Sequence, residues 1–470
     1  MPSRLPYVIS AGTDWSGKRV VILGLARQGK AVARYFGERG ADVIASDLKA
    51  AEAMQQAQSE LEDLSLTYVF GEHPVEMLED ADILCLSGGI PFDIPVVEAA
   101  RERGVAVTND AQLFMEACPA PVIGITGSSG KTTTTALLGA IAEREATGSD
   151  RKVWVGGNIG NPLISDLETI GARDVVIMEL SSFQLQLMTC SPAIAVILNI
   201  TPNHLDRHRS MQAYTEAKSR ILRFQEPTDV AVLGIDDPIT WSLREVVPGK
   251  VVAFGAPAHP GVDGAFVGER HIWLQWSGER REVCPLESIK LRGAHNLLNV
   301  AAACATGAAA GFSVRAMREA IEGFQGVEHR LQIVRQIGGV TWVNDSIATA
   351  PERSMAAMRA FDAPLVLLAG GRDKDLPWDE FAEMVARRVD HLILFGEAAG
   401  LILDAISRTG ERERPYSIEV CPDLEAAVEA AARTAESGDV VLLSPGGTSY
   451  DEFTDFVERG ERFMELVENL

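Results

Sequence analysis

The clearest chemistry in the chain lies in Val122-Ile-Gly-Ile-Thr-Gly-Ser-Ser-Gly-Lys131-Thr132-Thr133. An apolar run enters a glycine turn, followed by a lysine, threonines and a helix-compatible stretch. Gly127 and Gly130 let the backbone N–H groups around Ser128 and Ser129 turn inward, and a helix N-terminus beyond them favours an anion. Lys131 can neutralise β- and γ-phosphate charge, and the Thr132 hydroxyl suits Mg²⁺. In G-x-x-x-x-G-K-[ST] the first glycine position is Ile125 here, with Gly124 and Gly127 on either side, so the strict pattern fails. The order of strand, glycines, Lys and Thr still reads as a nucleotide-phosphate site rather than a chance turn.

Other polar residues follow apolar runs, where an α/β sheet holds its ligands. Val175-Val-Ile-Met-Glu179 ends in a carboxylate that could hold Mg²⁺, the alternative being a solvated strand end. His204 and His208 stand four apart and could share a helical face toward a metal. No Glu follows His204, so the H-E-x-x-H pattern is not met, and the favoured reading is one functional and one surface histidine. Lys218, among Ala and Thr, reads as a surface lysine, and Gly156-Gly-Asn-Ile-Gly160 as a turn able to approach a ligand closely. Near the N-terminus, Gly24-Leu-Ala-Arg-Gln-Gly29 lacks the central glycine of G-x-G-x-x-G, so it gives little support to a nicotinamide cofactor. Asp47 sits where dinucleotide folds place a ribose-binding acid; the alternative is a strand-end acid with no ligand.

The elements that must position these residues alternate strand and helix. Strands are expected at Val20–Leu23, Ala41–Ser46, Ala81–Leu86 and Val105–Thr108, with a helix at Arg27–Arg39. After the break Cys118-Pro-Ala-Pro121 come Val122–Ile125, Val175–Glu179, Ala193–Asn199 and Val230–Leu233. Val251–Val283 reads as a small antiparallel insert, and a second break is expected around Gly323–Gly326. Val340–Asn344, Pro364–Ala369, His391–Phe395, Ser417–Val420 and Val440–Leu443 complete the series. Such alternation implies mostly parallel sheets covered by helices, and 470 residues at roughly 150 per domain suggest about three domains.

The balance of 43 Lys+Arg against 66 Asp+Glu, net −23, disfavours nucleic-acid binding, which draws its affinity from basic side chains on phosphates. Six scattered cysteines without a C-x-x-C pair argue against a zinc ribbon or disulfide framework and fit a reducing cytosol. Met1–Trp15 lacks a basic segment before an apolar core, so no signal peptide is expected. Leu297–Phe312 is mostly Ala and Gly, too short and too weakly apolar for a membrane span of about 20 residues.

Thr126-Gly-Ser-Ser-Gly-Lys-Thr132, Gly156-Gly-Asn-Ile-Gly160, Glu179-Leu-Ser-Ser-Phe-Gln184, Asn203-His-Leu-Asp206, Gly293-Ala-His-Asn296, His329-Arg330 and Asn344-Asp-Ser346 occur in order across most of the chain. Together they resemble the Mur ligase family, ATP-dependent enzymes of peptidoglycan precursor synthesis, whose loop shares the departure at Ile125. Glu179–Leu185 and Ser444-Pro-Gly-Gly-Thr-Ser449-Tyr-Asp-Glu-Phe453 look most like the branch that adds D-glutamate to UDP-N-acetylmuramoyl-L-alanine through an acyl phosphate.

The resemblance implies an α/β fold of three domains. They are a Rossmann-like N-terminal domain (1–118) for the UDP-sugar, a central P-loop ATPase domain (119–325), and a C-terminal Rossmann-like domain (326–470) for the amino acid. It gives Gly127, Ser128, Ser129, Gly130, Lys131, Thr132, Thr133, Asn296, Arg330 and Asp345 to ATP. Thr132, Glu179, His204 and a carbamylated Lys218 become ligands of two Mg²⁺ ions. Asp47, Ser87 and Gly88 fall to the UDP-sugar, Asn158 and Ser181 to substrate binding, and Thr349, Lys374, Ser449 and Phe456 to glutamate, with Lys131, His204, Lys218 and Lys374 catalytic. It further implies a monomer in the bacterial cytoplasm acting on small molecules, with no nucleic-acid or membrane partner. One departure bears on the acceptor: the family member best known for adding D-glutamate carries Asp-Ser-Lys-Ala-Thr-Asn, whereas this chain has Asp345-Ser-Ile-Ala-Thr-Ala350. The alternatives are the related ligase adding L-glutamate, a folylpolyglutamate-synthase-like ligase, which the complete β/α segment before Thr126 argues against, and a nucleotide-dependent binding protein without ligase activity.

Overall fold

The computed structural model describes residues 9–10, 12–202, 205–256, 259, 261–291, 293–373, 376–410 and 413–470. The chain forms two compact units, Met1–Phe324 and Gln325–Leu470, the first carrying two sheets. The first sheet comprises β1 (Arg19–Leu23), β2 (Asp42–Asp47), β3 (Leu66–Phe70), β4 (Ile83–Leu86) and β5 (Ala106–Thr108), parallel in the order β3-β2-β1-β4-β5. Its strand order reverses between β1 and β4, which opens a ligand crevice at their carboxyl ends.

The second sheet comprises β6 (Val122–Thr126), β7 (Val153–Gly157), β8 (Val175–Glu179), β9 (Ile194–Ile197), β10 (Val230–Gly234), β11 (Lys250–Gly255), β12 (Gly264–Val267), β13 (His271–Trp276) and β14 (Glu279–Pro285). Its order is β14-β13-β12-β11-β10-β9-β6-β8-β7, so β6 lies between β8 and β9 and feeds the phosphate loop out at the carboxyl end of this sheet. Val251–Val283 is therefore not a separate insert. β11 and β12 continue the sheet in parallel, and only β13 and β14 turn antiparallel at its edge. The Ala-rich run lies in helix Ala294–Ala309, packed with helix Lys131–Ala146, where small side chains let the helices approach. Buried Leu137, Leu138 and Ile141 anchor the phosphate-loop helix, each stabilising the fold by about 1.5–3 kcal/mol. No helix of the described residues is long and apolar enough to cross a membrane.

The second unit holds β15 (Gln332–Ile337), β16 (Val340–Asn344), β17 (Leu365–Gly370), β18 (His391–Phe395), β19 (Ser417–Val420) and β20 (Val440–Gly446), ordered β15-β16-β20-β17-β18-β19. Only β15 is antiparallel to its neighbour. β17 and β20 are buried throughout, as strands sandwiched between helices must be.

Candidate active site

Because glycine bears no Cβ, Gly130 can take φ +82° and start the helix Lys131–Ala146 without a capping side chain, leaving its first N–H groups for an anion. A Cβ there would lie 2.2 Å from Asn299 Oδ1, so helix Ala294–Ala309 closes on the loop. Asn299 Nδ2 donates to Asn296 Oδ1 at 2.9 Å, which places the ATP candidate Asn296 beside it. The Ser128 N–H donates to Asn199 O and the Ser129 N–H to Asn199 Oδ1, both at 2.9 Å. Lys131 Nζ donates to Gly127 O at 2.8 Å, folding its ammonium across the mouth of the loop. Thr132 is partly exposed and Thr133 buried. Asn199 and Asn299 escaped the sequence reading, although Asn296-Leu-Leu-Asn299 has the spacing of one helical face.

β8 pairs with β6 so that Glu179 stands opposite Ile125, one residue before the loop. Glu179 is 1% exposed; its Oε1 accepts from Asn158 Nδ2 at 2.8 Å, while Oε2 has no hydrogen-bond partner among the described residues. A buried carboxylate oxygen without a donor is costly unless a cation meets it. Carboxylate and hydroxyl oxygens are also what Mg²⁺ selects, so Glu179 and Thr132 fit that ion. No three His, Cys, Asp or Glu side chains converge as a metal site among the described residues. His204 lies outside them.

Two expected surface residues are buried. Lys218 is 1% exposed, with Nζ donating to Gly127 O at 2.9 Å and to Thr126 Oγ1 at 3.4 Å, and 4.8 Å from the Tyr214 ring centroid. Desolvation, reinforced by Lys131, drives its pKa well below that of an ordinary lysine. Its Ala and Thr neighbours suggested a surface helix, but helix Met211–Arg223 turns this face toward β6. His208 is 4% exposed, stacked on Phe183 at 5.0 Å, with Nε2 2.9 Å from Ser182 Oγ. His208 is thus held by the Phe183 ring and the Ser182 hydroxyl.

In the first sheet, Gly24 (φ +84°) turns the chain after β1, and Asp47 Oδ2 accepts from the Leu25 N–H at 2.9 Å. Ser87 follows β4 with its N–H on Leu23 O, and the Gly88 N–H donates to Gln28 Oε1. Asp47, Ser87 and Gly88 thus border the β1/β4 crevice.

In the second unit, Asp345 follows β16 and is fully enclosed. Its Oδ2 accepts from Ser444 Oγ at 2.7 Å and its Oδ1 from the Leu331 N–H at 3.1 Å; desolvation raises its pKa to about 7. The Gly446 N–H on Ala348 O links the loops bearing Thr349 and Ser449. Phe456 stands edge-on to His329 at 6.2 Å, and its carbonyl accepts from Ser346 Oγ. Arg459, which no motif singled out, is 0% exposed and donates to Ser346 Oγ, Ser346 O and Gly447 O. It pins both loops, and desolvation lowers its pKa to about 10. Arg330 is exposed and precedes β15. Lys374 lies outside the described residues.

Sheet order, phosphate loop and strand-end carboxylate define an α/β protein that binds nucleotide phosphates. Family models match residues 18–109 (Mur ligase MurD-like, N-terminal domain), 125–307 (Mur ligase middle domain) and 329–447 (Mur ligase, glutamate ligase domain). The chain belongs to the Mur ligase family. It is 43% identical to the UDP-N-acetylmuramoylalanine–D-glutamate ligase of Symbiobacterium thermophilum over 456 residues, 96% of this chain and 98% of that one. The ligase of the same name from Roseiflexus sp. is 38% identical, over 97% and 99% of the two chains. Among solved structures, UDP-N-acetylmuramate-alanine ligase of Thermotoga maritima shares the fold, with TM-score 0.56, 20% identity and coverage of 96% and 99%. E. coli FolC in complex with DHPP and ADP also shares it, with TM-score 0.54, 17% identity and coverage of 77% and 91%.

Proposed function

We propose that this chain is an ATP-dependent ligase that joins D-glutamate to UDP-N-acetylmuramoyl-L-alanine in peptidoglycan precursor synthesis. The observation that carries the reading is the buried Glu179 with one unpartnered oxygen, on the strand beside a phosphate loop whose lysine spans its mouth. Near-full-length identity to D-glutamate ligases supports the substrates. The MurD-like match over 18–109 favours a UDP-sugar over a folate.

A carboxylate is a poor electrophile. In the proposed reaction the substrate carboxylate oxygen attacks the γ-phosphorus of ATP, ADP leaves, and an acyl phosphate forms. The neutral amine of glutamate then attacks the carbonyl carbon, and the tetrahedral adduct expels inorganic phosphate as the amine gives up its proton. The protein mainly positions reactants and neutralises phosphate charge. Lys131 and the uncapped N–H groups at the start of the helix Lys131–Ala146 hold the β- and γ-phosphates. Asn296, Arg330 and Asp345 take the rest of ATP. Asp47, Ser87 and Gly88 hold the uridine diphosphate, and Asn158 and Ser181 orient the reacting end of the UDP-sugar. Thr349, Lys374, Ser449 and Phe456 hold glutamate. Residues 1–118, 119–325 and 326–470 divide these tasks.

Thr132, Glu179, His204 and Lys218 would hold two Mg²⁺ ions, which supply charge neutralisation for the transferring phosphoryl group. The buried Lys218 amine, favoured in its neutral form, is suited to carbamylation, which turns a cation into an oxygen donor. The enzyme is proposed to act as a monomer in the bacterial cytoplasm. ADP release that requires both the UDP-sugar and glutamate is the expected result. Release independent of either would favour a nucleotide-binding protein without ligase activity.

A further inference from the structure

Asp110 opens the helix Asp110–Ala117 just after the first sheet, is 4% exposed, and belongs to none of the motifs above. Both carboxylate oxygens accept from Gln184 Nε2 at 3.3 Å. Gln184 is 1% exposed, and its Oε1 accepts from the Ser181 N–H and from Ser181 Oγ, each at 3.0 Å. An N–H can only donate, so that contact fixes which end of the Gln184 amide faces Ser181, and the NH₂ end must face an acceptor. Asp110 is that acceptor. The Ser181 hydroxyl is fixed in turn, donating to Gln184 Oε1 while accepting from the Gln184 N–H at 3.2 Å.

Flanking bonds hold the two helices together. Asn109 Nδ2 donates to Gln184 O at 2.9 Å, and Gln112 accepts from the Thr189 N–H at 2.7 Å. Arg27 acts on Asp110 through its charge, burial and the Asp110 charge together raise the pKa of the Cys85 thiol, and Arg27 Nη2 reaches Asn158 O at 3.5 Å. The seam thus ties the helix after the first sheet to the Asn158, Glu179 and Ser181 end of the second.

We propose that Asp110 is a positioning residue. Through the Gln184 amide it sets the direction of the Ser181 hydroxyl, and thereby the binding of the UDP-sugar's reacting end. This rests on the proposed function for the identity of the ligand. Asp110→Asn keeps the volume but sets an NH₂ against the Gln184 NH₂, or flips that amide and opposes the Ser181 N–H. The experiment compares wild type, D110N, Q184L and the double variant in the full chain. D110N is expected to raise KM for UDP-N-acetylmuramoyl-L-alanine about tenfold, the scale of one hydrogen bond to a charged group. KM for ATP should stay unchanged, and the double variant should lose no more than Q184L. An unchanged KM, multiplying losses, or equal rises in every KM with a lowered melting temperature would overturn the proposal. If wild type itself does not turn over, the ligase reading fails. The clamp is then decided by the Gln184 side-chain amide resonance of ¹⁵N-glutamine-labelled protein: protected in wild type and exchange-broadened in D110N if it exists, identical in both if it does not.

Discussion

Asp345→Asn should stabilise the second unit at alkaline pH while damaging nucleotide binding. Enclosure raises the Asp345 carboxyl from 3.8 to about 7, against the opposing bonds from Ser444 and Leu331 and the charges of Arg330 and Arg353. Because the folded-state pKa is raised, the stability this group contributes is fully present below about pH 4 and is lost as pH rises through about 7. A shift of about three units at about 1.4 kcal/mol each makes the loss about 4 kcal/mol. Asparagine escapes that cost but weakens one of the two hydrogen bonds, a loss of about 1 kcal/mol. The net gain at pH 8 is about 3 kcal/mol, or roughly 9 °C for a unit of about 150 residues, and at pH 4 the variant should match wild type or fall slightly below it. Calorimetry at pH 4, 6 and 8, following the transition of Gln325–Leu470, reads this directly. A difference independent of pH, or a variant less stable at pH 8, would refute the reasoning.

Lys131→Ala should abolish ADP release with the far-UV spectrum intact, because the loop then lacks its cation; normal turnover would remove Lys131 from the phosphate site. Lys218→Ala should be inactive and regain activity with short carboxylic acids, which can occupy the space of a carbamate; rescue failure in a folded variant would count against that modification. Gly130→Ala combines a Cβ 2.2 Å from Asn299 Oδ1 with φ +82°, so it should raise KM for ATP and cost about 1–2 kcal/mol or more of stability, measured by steady-state kinetics and denaturant titration.

The phosphate loop was legible because its chemistry is local: strand, glycines, lysine and helix follow one another in eleven residues from Val122 to Thr132. Buried parallel strands such as β8 and β18 were legible as unbroken apolar runs. Edge strands β3, β7 and β15 were missed because exposed positions interrupt their apolar pattern or leave it only half-buried. β12 to β14 looked like an insert because hairpin alternation hides that β12 pairs in parallel with β11. Lys218, His208 and Arg459 were hidden for another reason: each sits on a helix with polar neighbours, and only tertiary packing decides that its face is covered. The clamp on Gln184 joins residues 74 apart, and no local pattern announces it.

The ligase reading is tested most directly by incubating the protein with ATP, Mg²⁺ and UDP-N-acetylmuramoyl-L-alanine, with D- or L-glutamate in parallel, and following ADP and the UDP-sugar by mass. One ADP per UDP-sugar extended by a single glutamate, with D-glutamate strongly preferred, is the predicted result. Preference for L-glutamate would show that Ile347 and Ala350 mark a different acceptor site. No extension with either isomer would contradict the account.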